Sequence, residues 1–282
     1  MLRAAGAYFG ARRNRERDVK QQGTTPSTDR PLLNYVTEGA GPPVVLVHGV
    51  GSNLRAWDRI ADRLSPRFRV LRMDLRGHGA SSQTREAYSL EKFGEDIVAV
   101  MNAAGIATAD LVGFSLGGLI GQCLALNWPG RFRKIALLSA VADRTPEERE
   151  KVVSRLAMIR ESGIAAVTGA ARDRWFTDDF ARKHPEEIEK RIAELIANDK
   201  ASYLEAYRVF GQGELAPRLH GIKHETLVLT GEFDQGSNTR MARFMHDQIA
   251  DSELVILPGL RHSILVEASD IVADHLLAFL NR

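Results

Sequence analysis

The chain has 282 residues, 44% of them hydrophobic and 26% charged, and its formal net charge is +2. This length and composition fit a globular protein with one large α/β domain, with or without an insertion. Residues 1–30 carry seven Lys or Arg against three Asp or Glu, so the remaining chain is near −2. That balance argues against a nucleic-acid surface on the folded body.

The cysteine content and the hydropathy pattern bear on the compartment. Cys123 is the single cysteine of the chain, which rules out an intrachain disulfide and fits a reducing compartment. No stretch of the sequence approaches the ~18 uninterrupted apolar residues that a membrane-spanning helix needs. We therefore expect a cytoplasmic protein without a membrane or nucleic-acid partner.

Residues 1–30 have no clear structural pattern. Arg12-Arg13 resembles a twin-arginine export signal, but polar residues follow where the apolar part of such a signal would begin. A transit peptide is an alternative, because the first fifteen residues are basic and poor in acids. Residues 21–28 have linker composition. We predict that residues 1–30 are a disordered basic tail, or that the start of the protein has been assigned too far upstream.

From residue 32 onward, short apolar runs alternate with helical patterns. Several runs are continuously apolar, as expected for strands covered on both faces of a parallel sheet. The predicted strands are Leu32–Thr37, Val44–His48, Val70–Asp74, Leu111–Phe114, Lys134–Ser139, Thr226–Thr230 and Leu254–Leu257. The predicted helices between them are Asn53–Leu64, Leu90–Ala104, Leu116–Asn127, Arg240–Ile249 and Ile264–Leu280. This alternation predicts a doubly wound, mostly parallel α/β sheet.

The stretch between Ser139 and Thr226 interrupts the alternation. It has only helical patterns, at Pro146–Ser162, Ile164–Trp175, Pro185–Asn198 and Tyr203–Phe210. Ligands of open α/β sheets bind at the carboxyl ends of the strands, so an insertion here would cover the ligand site. We therefore predict a core of residues 31–142 and 218–282, and a helical cap of residues 143–217 inserted before the last two strands.

Ser115 is the candidate nucleophile. It lies in Gly113-Phe-Ser-Leu-Gly-Gly118, between a predicted strand and a predicted helix. Gly-x-Ser-x-Gly in this strand–turn–helix context is the nucleophile elbow, in which the glycines permit a sharp turn and a close approach of helix and strand.

A serine hydroxyl becomes a good nucleophile only when a nearby imidazole takes its proton. His262 follows the last predicted strand, in Leu257-Pro-Gly-Leu-Arg-His262, and returns to the sheet edge that carries the serine. We predict that His262 is the base. His48 and His78 lie in glycine-containing loops and are better explained as hydrogen-bonding residues that shape those loops.

The acid that orients the imidazole should also follow a strand. Thr230-Gly-Glu-Phe-Asp234 ends the penultimate predicted strand, and Asp234, further into the loop, is the stronger choice. Glu232 is the alternative there, and its other predicted roles are to hold a backbone amide or the cap. Asp143, after the strand that precedes the cap, is the second-line candidate.

Two backbone N–H groups should stabilise the negative oxygen that forms during the attack. One is that of Leu116, directly after the nucleophile and at a helix N-terminus. The other is predicted in the glycine-rich turn His48-Gly-Val-Gly-Ser-Asn53, where the Val50 N–H is expected to point inward.

Together these segments resemble the serine hydrolases of the α/β-hydrolase superfamily, from about Leu32 to Arg282. The matching segments are His48-Gly-Val-Gly51, Asp74-Leu-Arg-Gly-His-Gly-Ala-Ser81, Gly113-Phe-Ser-Leu-Gly-Gly118, Gly231-Glu-Phe-Asp234 and Gly259-Leu-Arg-His262. The chain is most similar to the 3-oxoadipate enol-lactonase group and its esterase-like neighbours, on residues 117–122, 174–177 and 257–262.

The resemblance implies an α/β-hydrolase fold and the cleavage of a small-molecule ester or lactone through an acyl-enzyme on Ser115, within aromatic compound catabolism. No metal or organic cofactor is expected. If the substrate is a carboxylated lactone, a cation should meet its carboxylate; Arg172, Arg174 and Arg182 of the cap are candidates, but solvated surface arginines are the simpler interpretation.

Two alternatives stay open. A carbon–carbon bond hydrolase of aromatic meta-cleavage products keeps the same serine triad, and some proteins of this fold bind a small ligand without catalysis. Dehalogenases and epoxide hydrolases of the fold attack through an aspartate, whereas position 115 is serine. The sequence carries no signal for the oligomeric state.

Overall fold

The structure is a computed structural model that describes residues 20–25 and 31–282. The targeting-signal hypotheses for the first residues lie outside the described part. In the described residues, eight strands form one sheet: β1 Gln21–Thr24, β2 Asn34–Glu38, β3 Pro43–Val47, β4 Arg69–Met73, β5 Ala109–Phe114, β6 Phe132–Leu138, β7 Glu225–Gly231 and β8 Ser252–Leu257. Their order across the sheet is β1-β2-β4-β3-β5-β6-β7-β8.

Eleven helices of the core and of the insertion lie between and after the strands of the described residues. They are α1 Asp58–Leu64, α2 Leu90–Ala103, α3 Leu116–Asn127, α4 Pro146–Ser162, α5 Thr168–Trp175, α6 Asp178–Lys183, α7 Pro185–Ile196, α8 Lys200–Gln212, α9 Thr239–Gln248, α10 Ile264–Glu267 and α11 Ser269–Leu280. Short 3-10 turns lie at Leu54–Trp57, Pro129–Arg131, Ile164–Val167 and Ala216–Gly221. No helix in the described ranges is both long and apolar enough to cross a membrane.

Six strands, β3 to β8, run parallel, and β2 is antiparallel to both β1 and β4. Strand β3 shows why its sequence is continuously apolar. Val45 and Val47 pack with α2 and α3, whereas Val44 and Leu46 pack with α1 and α11 on the opposite face. Each such fully buried side chain stabilises the fold by about 1.5–3 kcal/mol. The doubly wound, mostly parallel sheet predicted from the sequence is confirmed.

Strand β1 differs from the sequence-based expectation. It lies within the predicted disordered tail, so that prediction is wrong for Gln21–Thr24. These residues pair antiparallel with β2, and Gln22 Nε2 donates to Asn34 Oδ1 at 3.1 Å. A four-residue polar strand carries no apolar periodicity, because its stability comes from ladder hydrogen bonds to an existing sheet edge rather than from a buried face.

Residues 143–217, which we call the cap, contain α4–α8 and no strand. They connect β6 to β7, two strands that are neighbours in the sheet. Helix α4 begins as its sequence predicts: Thr145 and Glu148 form a capping box and Pro146 occupies the first turn. Helix α6 was not predicted; it has six residues, no buried side chain, and starts at the Thr177 N-cap.

Candidate active site

Ser115 sits in a strained turn between β5 and α3. Its φ is 56° and its ψ is −113°, a conformation that costs a non-glycine residue about 1–3 kcal/mol. The turn is tight because a Cβ at Gly113 would overlap the Gly117 carbonyl oxygen, and a Cβ at Gly117 would overlap the Val47 carbonyl oxygen. The two glycines of the motif therefore let α3 lie directly against β3 and β5, with Ser115 at the carboxyl edge of the sheet.

His262 and Asp234 are held together at the same edge. His262 Nδ1 lies 2.6 Å from Asp234 Oδ2, and the Asp234 side chain is fully buried. The other oxygen, Oδ1, accepts the N–H groups of Gly236 and Ser237, both at 2.9 Å. A carboxylate only accepts hydrogen bonds, so this contact places the proton of the neutral imidazole on Nδ1 of His262 and leaves a lone pair on Nε2.

Ser115, His262 and Asp234 line one cavity of about 400 Å³ between the sheet edge and the cap. The imidazole of His262 also packs beside Phe114, with ring centroids 5.0 Å apart. The structure thus brings together the three residues that the sequence selected from three separate strand ends.

The alternative acids lie elsewhere. Asp143 is half-exposed, and its Oδ2 accepts from Arg240 Nη1 at 2.9 Å. Glu232 Oε2 accepts the N–H of Gly259 at 2.8 Å, one of the two roles that the sequence suggested for it. Neither carboxylate lines the cavity.

The two predicted N–H donors, those of Leu116 and Val50, have no acceptor among residues 20–25 and 31–282. Leu116 is the first residue of α3, where the N–H groups have no partner within the helix. Val50 lines the cavity, and the preceding carbonyl, that of Gly49, accepts from His48 Nδ1 at 2.7 Å and from the Ser52 N–H at 3.3 Å. Both N–H groups are therefore without an acceptor in the described part of the chain, as the predicted oxyanion site requires.

His48 and His78 hold the loops around this site, as predicted. His48 Nε2 accepts the Leu75 N–H, and His78 Nε2 accepts the Gly51 N–H, both at 3.0 Å. Burial lowers the pKa of His48 to about 4. Burial and the neighbouring His48 lower the pKa of His78 to about 3. Both imidazoles are therefore neutral in the folded protein at pH 7.

These two pKa values predict a loss of stability in mild acid. In the unfolded chain both histidines take up a proton near pH 6.5, whereas the folded protein resists protonation down to about pH 4 and about pH 3. The free energy of unfolding should therefore fall by about 2 kcal/mol per histidine between pH 7.5 and pH 5. Urea unfolding across this range measures the effect, and His78→Gln should remove about half of the slope. An equal slope in His78→Gln would contradict the assignment.

Of the three cap arginines considered from the sequence, only Arg174 faces the cavity. Arg172 pairs with Glu189 at 2.8 Å and Arg182 pairs with Asp179 at 3.0 Å, both on the surface. Arg174 has no hydrogen-bond or ion-pair partner in the described residues, and burial together with nearby Arg155 lowers its pKa.

Five further cationic residues of the cavity were not predicted from the sequence, among them Arg155 and Arg191 of the cap. Arg155 donates to Tyr207 Oη at 3.3 Å, and Arg191 lies over the ring of Trp175 at 5.2 Å. Which side of a cap helix faces the sheet depends on the packing of all five helices, so periodicity alone could not select these residues. In all, six cationic side chains and four carboxylates line the cavity.

Comparison with known proteins agrees with this fold. The family model described as "alpha/beta hydrolase fold" matches residues 42–269. The chain is 30% identical to 3-oxoadipate enol-lactonase 2 of Acinetobacter baylyi, over 80% of this chain and 84% of the relative. It is 28% identical to the (E)-2-((N-methylformamido)methylene)succinate hydrolase of the same organism, over 88% and 93%. The crystal structure of the enol-lactonase from Burkholderia xenovorans LB400 superposes with a TM-score of 0.84 at 30% identity, covering 89% of this chain and 97% of that one.

The chain belongs to the α/β-hydrolase fold family and is a hydrolase. The family resemblance predicted from the sequence is confirmed, and the hydrolase names of these relatives favour an enzyme over a non-catalytic ligand-binding protein of the same fold.

Proposed function

We propose that the protein hydrolyses a small ester or lactone, with Ser115 as nucleophile, His262 as base and Asp234 as the acid that orients the imidazole. The 2.6 Å contact between His262 Nδ1 and Asp234 Oδ2, beside Ser115 in one cavity, carries the proposal. It leaves Nε2 of His262 as the unprotonated nitrogen, which is the state that a general base for a serine hydroxyl requires.

The reaction then has two stages. As Ser115 Oγ bonds to the substrate carbonyl carbon, its proton passes to Nε2 of His262, and the carbonyl oxygen becomes negative between the N–H groups of Leu116 and Val50. Collapse of this intermediate breaks the bond to the alcohol or enol oxygen, which takes the proton from Nε2. A water molecule next gives a proton to Nε2 as its oxygen attacks the acyl-enzyme carbonyl. Collapse of this second tetrahedral intermediate breaks the bond to Oγ, which takes the proton from Nε2, and the carboxylic acid is released and loses its proton to water.

We further propose that the substrate carries a carboxylate, as an enol lactone of the 3-oxoadipate type does, and that Arg174 and Arg155 receive it. Arg174 is partly buried in the cavity roof, has no carboxylate partner among residues 20–25 and 31–282, and has its pKa lowered by burial. A buried cation without a partner is unfavourable, so an anionic ligand would gain a charge-assisted hydrogen bond there. The names of two relatives, with 3-oxoadipate and succinate, support an acidic substrate.

The test compares substrates that differ only in charge. The purified protein is expected to hydrolyse p-nitrophenyl hemisuccinate and a carboxymethyl-substituted enol lactone faster than p-nitrophenyl butyrate and the methyl ester of that lactone. Arg174→Met should lower kcat/KM for the charged substrates by about 10- to 100-fold, the value of one hydrogen bond to a charged group. It should leave the neutral esters within about threefold, because they make no such bond.

Arg182→Met, which removes an exposed cap arginine paired with Asp179, is the matched control and should not change the preference. An unchanged preference in Arg174→Met would contradict the anion-binding role but not the hydrolase. Turnover of ring-cleavage diketones without turnover of any ester or lactone would instead establish the carbon–carbon bond hydrolase.

A further inference from the structure

Gly51 joins the cap to the loop of residues 48–53. Its carbonyl oxygen accepts from Arg191 Nη1 at 2.9 Å and from Asn198 Nδ2 at 3.2 Å. Its N–H donates to His78 Nε2 of the core at 3.0 Å. The two peptide units on either side of this residue are therefore fixed from opposite directions, one by the core and one by the end of the cap around α7.

The cap rests directly on the backbone at this point. Gly51 has φ +67°, and a Cβ there would lie 2.6 Å from side-chain atoms of both Leu195 and Tyr203. Glycine tolerates this conformation and leaves room for those side chains. A change in the position of the cap is thus transmitted to the loop backbone without an intervening flexible side chain of the loop.

Two peptide units, joined by a hydrogen bond, connect this contact to the Val50 N–H. The Gly51 carbonyl and the Ser52 N–H belong to one peptide unit, and that N–H donates to the Gly49 oxygen at 3.3 Å. The Gly49 carbonyl and the Val50 N–H belong to another. Because a trans peptide is planar, its C=O and N–H point in opposite directions. The Gly49 oxygen is held from the core by His48 Nδ1 at 2.7 Å and from the Gly51–Ser52 peptide unit by the Ser52 N–H, and together these contacts fix the direction of the Val50 N–H.

Burying the charged guanidinium of Arg191 is unfavourable, and its hydrogen bond to the Gly51 oxygen offsets part of that cost. Burial lowers the pKa of its guanidinium, and its nearest carboxylate oxygen, on Glu194, lies 4.0 Å away. Its close hydrogen bond is the one to Gly51. The same side chain lies over Trp175 and lines the cavity, so it touches both the space for the substrate and the loop that carries the Val50 N–H.

We infer that Arg191 and Asn198 are positioning residues, through which the cap orients the Val50 N–H toward the oxygen that becomes negative on Ser115. The inference rests on the proposed function, since it assigns these residues to the same reaction. It makes the stabilisation of the transition state depend on a contact between the cap and the core, rather than on the core alone.

Kinetics with p-nitrophenyl acetate test this role, because a neutral two-carbon acyl group does not need the cap cations for binding. Arg191→Met should lower kcat by about 10-fold, and Arg191→Met combined with Asn198→Ala by about 100-fold, as expected when a donor is misplaced rather than removed. KM should stay within about threefold, because the donor acts on the transition state. Inhibition by a trifluoromethyl ketone, which forms the same oxyanion on Ser115, should weaken in parallel with kcat/KM.

Arg191→Lys keeps a donor within reach of the Gly51 oxygen and should restore most of kcat, whereas Arg182→Met should behave as the wild type. A double variant that folds normally and keeps kcat within about twofold, or that changes KM alone, would overturn the inference.

Hydrogen exchange separates this result from a failure of the proposed function. In the double variant, the Ser52 amide should exchange at least about tenfold faster, because the peptide unit that it shares with the Gly51 carbonyl is no longer held. Unchanged exchange would overturn the inference whatever the turnover. A different result is faster Ser52 exchange in the double variant together with a wild-type protein that hydrolyses no ester. That result would confirm that Arg191 and Asn198 hold the loop, and it would contradict the proposed function instead.

Discussion

Replacing Ser115 with alanine is expected to lower kcat/KM for every ester or lactone substrate by about 10⁴- to 10⁶-fold, as the loss of a nucleophilic serine does in other hydrolases. The hydroxyl is the only group of Ser115 that takes part in the proposed chemistry. The change keeps the Cβ and hence the same strain at φ 56°, so the fold and the cavity should be preserved. Initial rates with p-nitrophenyl acetate measure the loss, and thermal unfolding checks the fold.

Labelling by a fluorophosphonate probe gives an independent measurement of the same prediction. The wild type should be labelled once and Ser115→Ala not at all. Ser263 lines the same cavity, so Ser263→Ala is the matched control and should still be labelled. A folded Ser115→Ala protein that is labelled or active would show that another residue is the nucleophile.

Replacing Asp234 with asparagine should lower kcat by about 10³- to 10⁴-fold. The single side-chain oxygen of the asparagine can take the place of Asp234 Oδ1 and accept the N–H groups of Gly236 and Ser237. The amide nitrogen then faces His262 Nδ1 and donates to it, which places the imidazole proton on Nε2. In that tautomer the imidazole cannot accept the Ser115 proton, although the geometry of the site is unchanged.

Asp143→Asn is the matched control for this prediction. Asp143 has φ +51° and pairs on the surface with Arg240, and asparagine tolerates that conformation well. Its kcat should stay within about twofold of the wild type, since an exposed ion pair contributes about 0–1 kcal/mol to stability and none to the site. A large loss in Asp143→Asn with near-normal Asp234→Asn would transfer the acid role to Asp143.

Most of the helices and strands could be predicted from the sequence because their signals are local. The bounds predicted for α3 and α4 match those observed, since a glycine-rich turn precedes the first and a Thr145–Glu148 capping box begins the second. Strand β1 and helix α6 were missed because both are short and polar, and partners distant in the chain, such as Asn34 of β2, stabilise them.

The residues of the candidate site also differ in how far the sequence could predict them. Ser115, His262 and Asp234 each follow a strand, and parallel strands bring their carboxyl ends to one edge whatever the details of packing. The cap residues have no such rule. No sequence pattern distinguishes the cavity residues Arg155, Arg174 and Arg191 from the surface residues Arg172 and Arg182. Only the packing of the cap helices decides which of them face the cavity.

Because of its position in the chain, the cap can change in sequence and length without a change in the sheet. The cap leaves the sheet after β6 and returns at β7, and these strands pair directly with each other from Lys134 with Glu225 to Leu138 with Leu229. Insertions, deletions or whole replacements between them alter the substrate cavity without shifting the strand register. The residues that select the substrate can therefore change while the strand ends that carry Ser115, Asp234 and His262 keep their positions. If Arg191 and Asn198 act as inferred, a replacement cap would also have to supply a hydrogen-bond donor to Gly51.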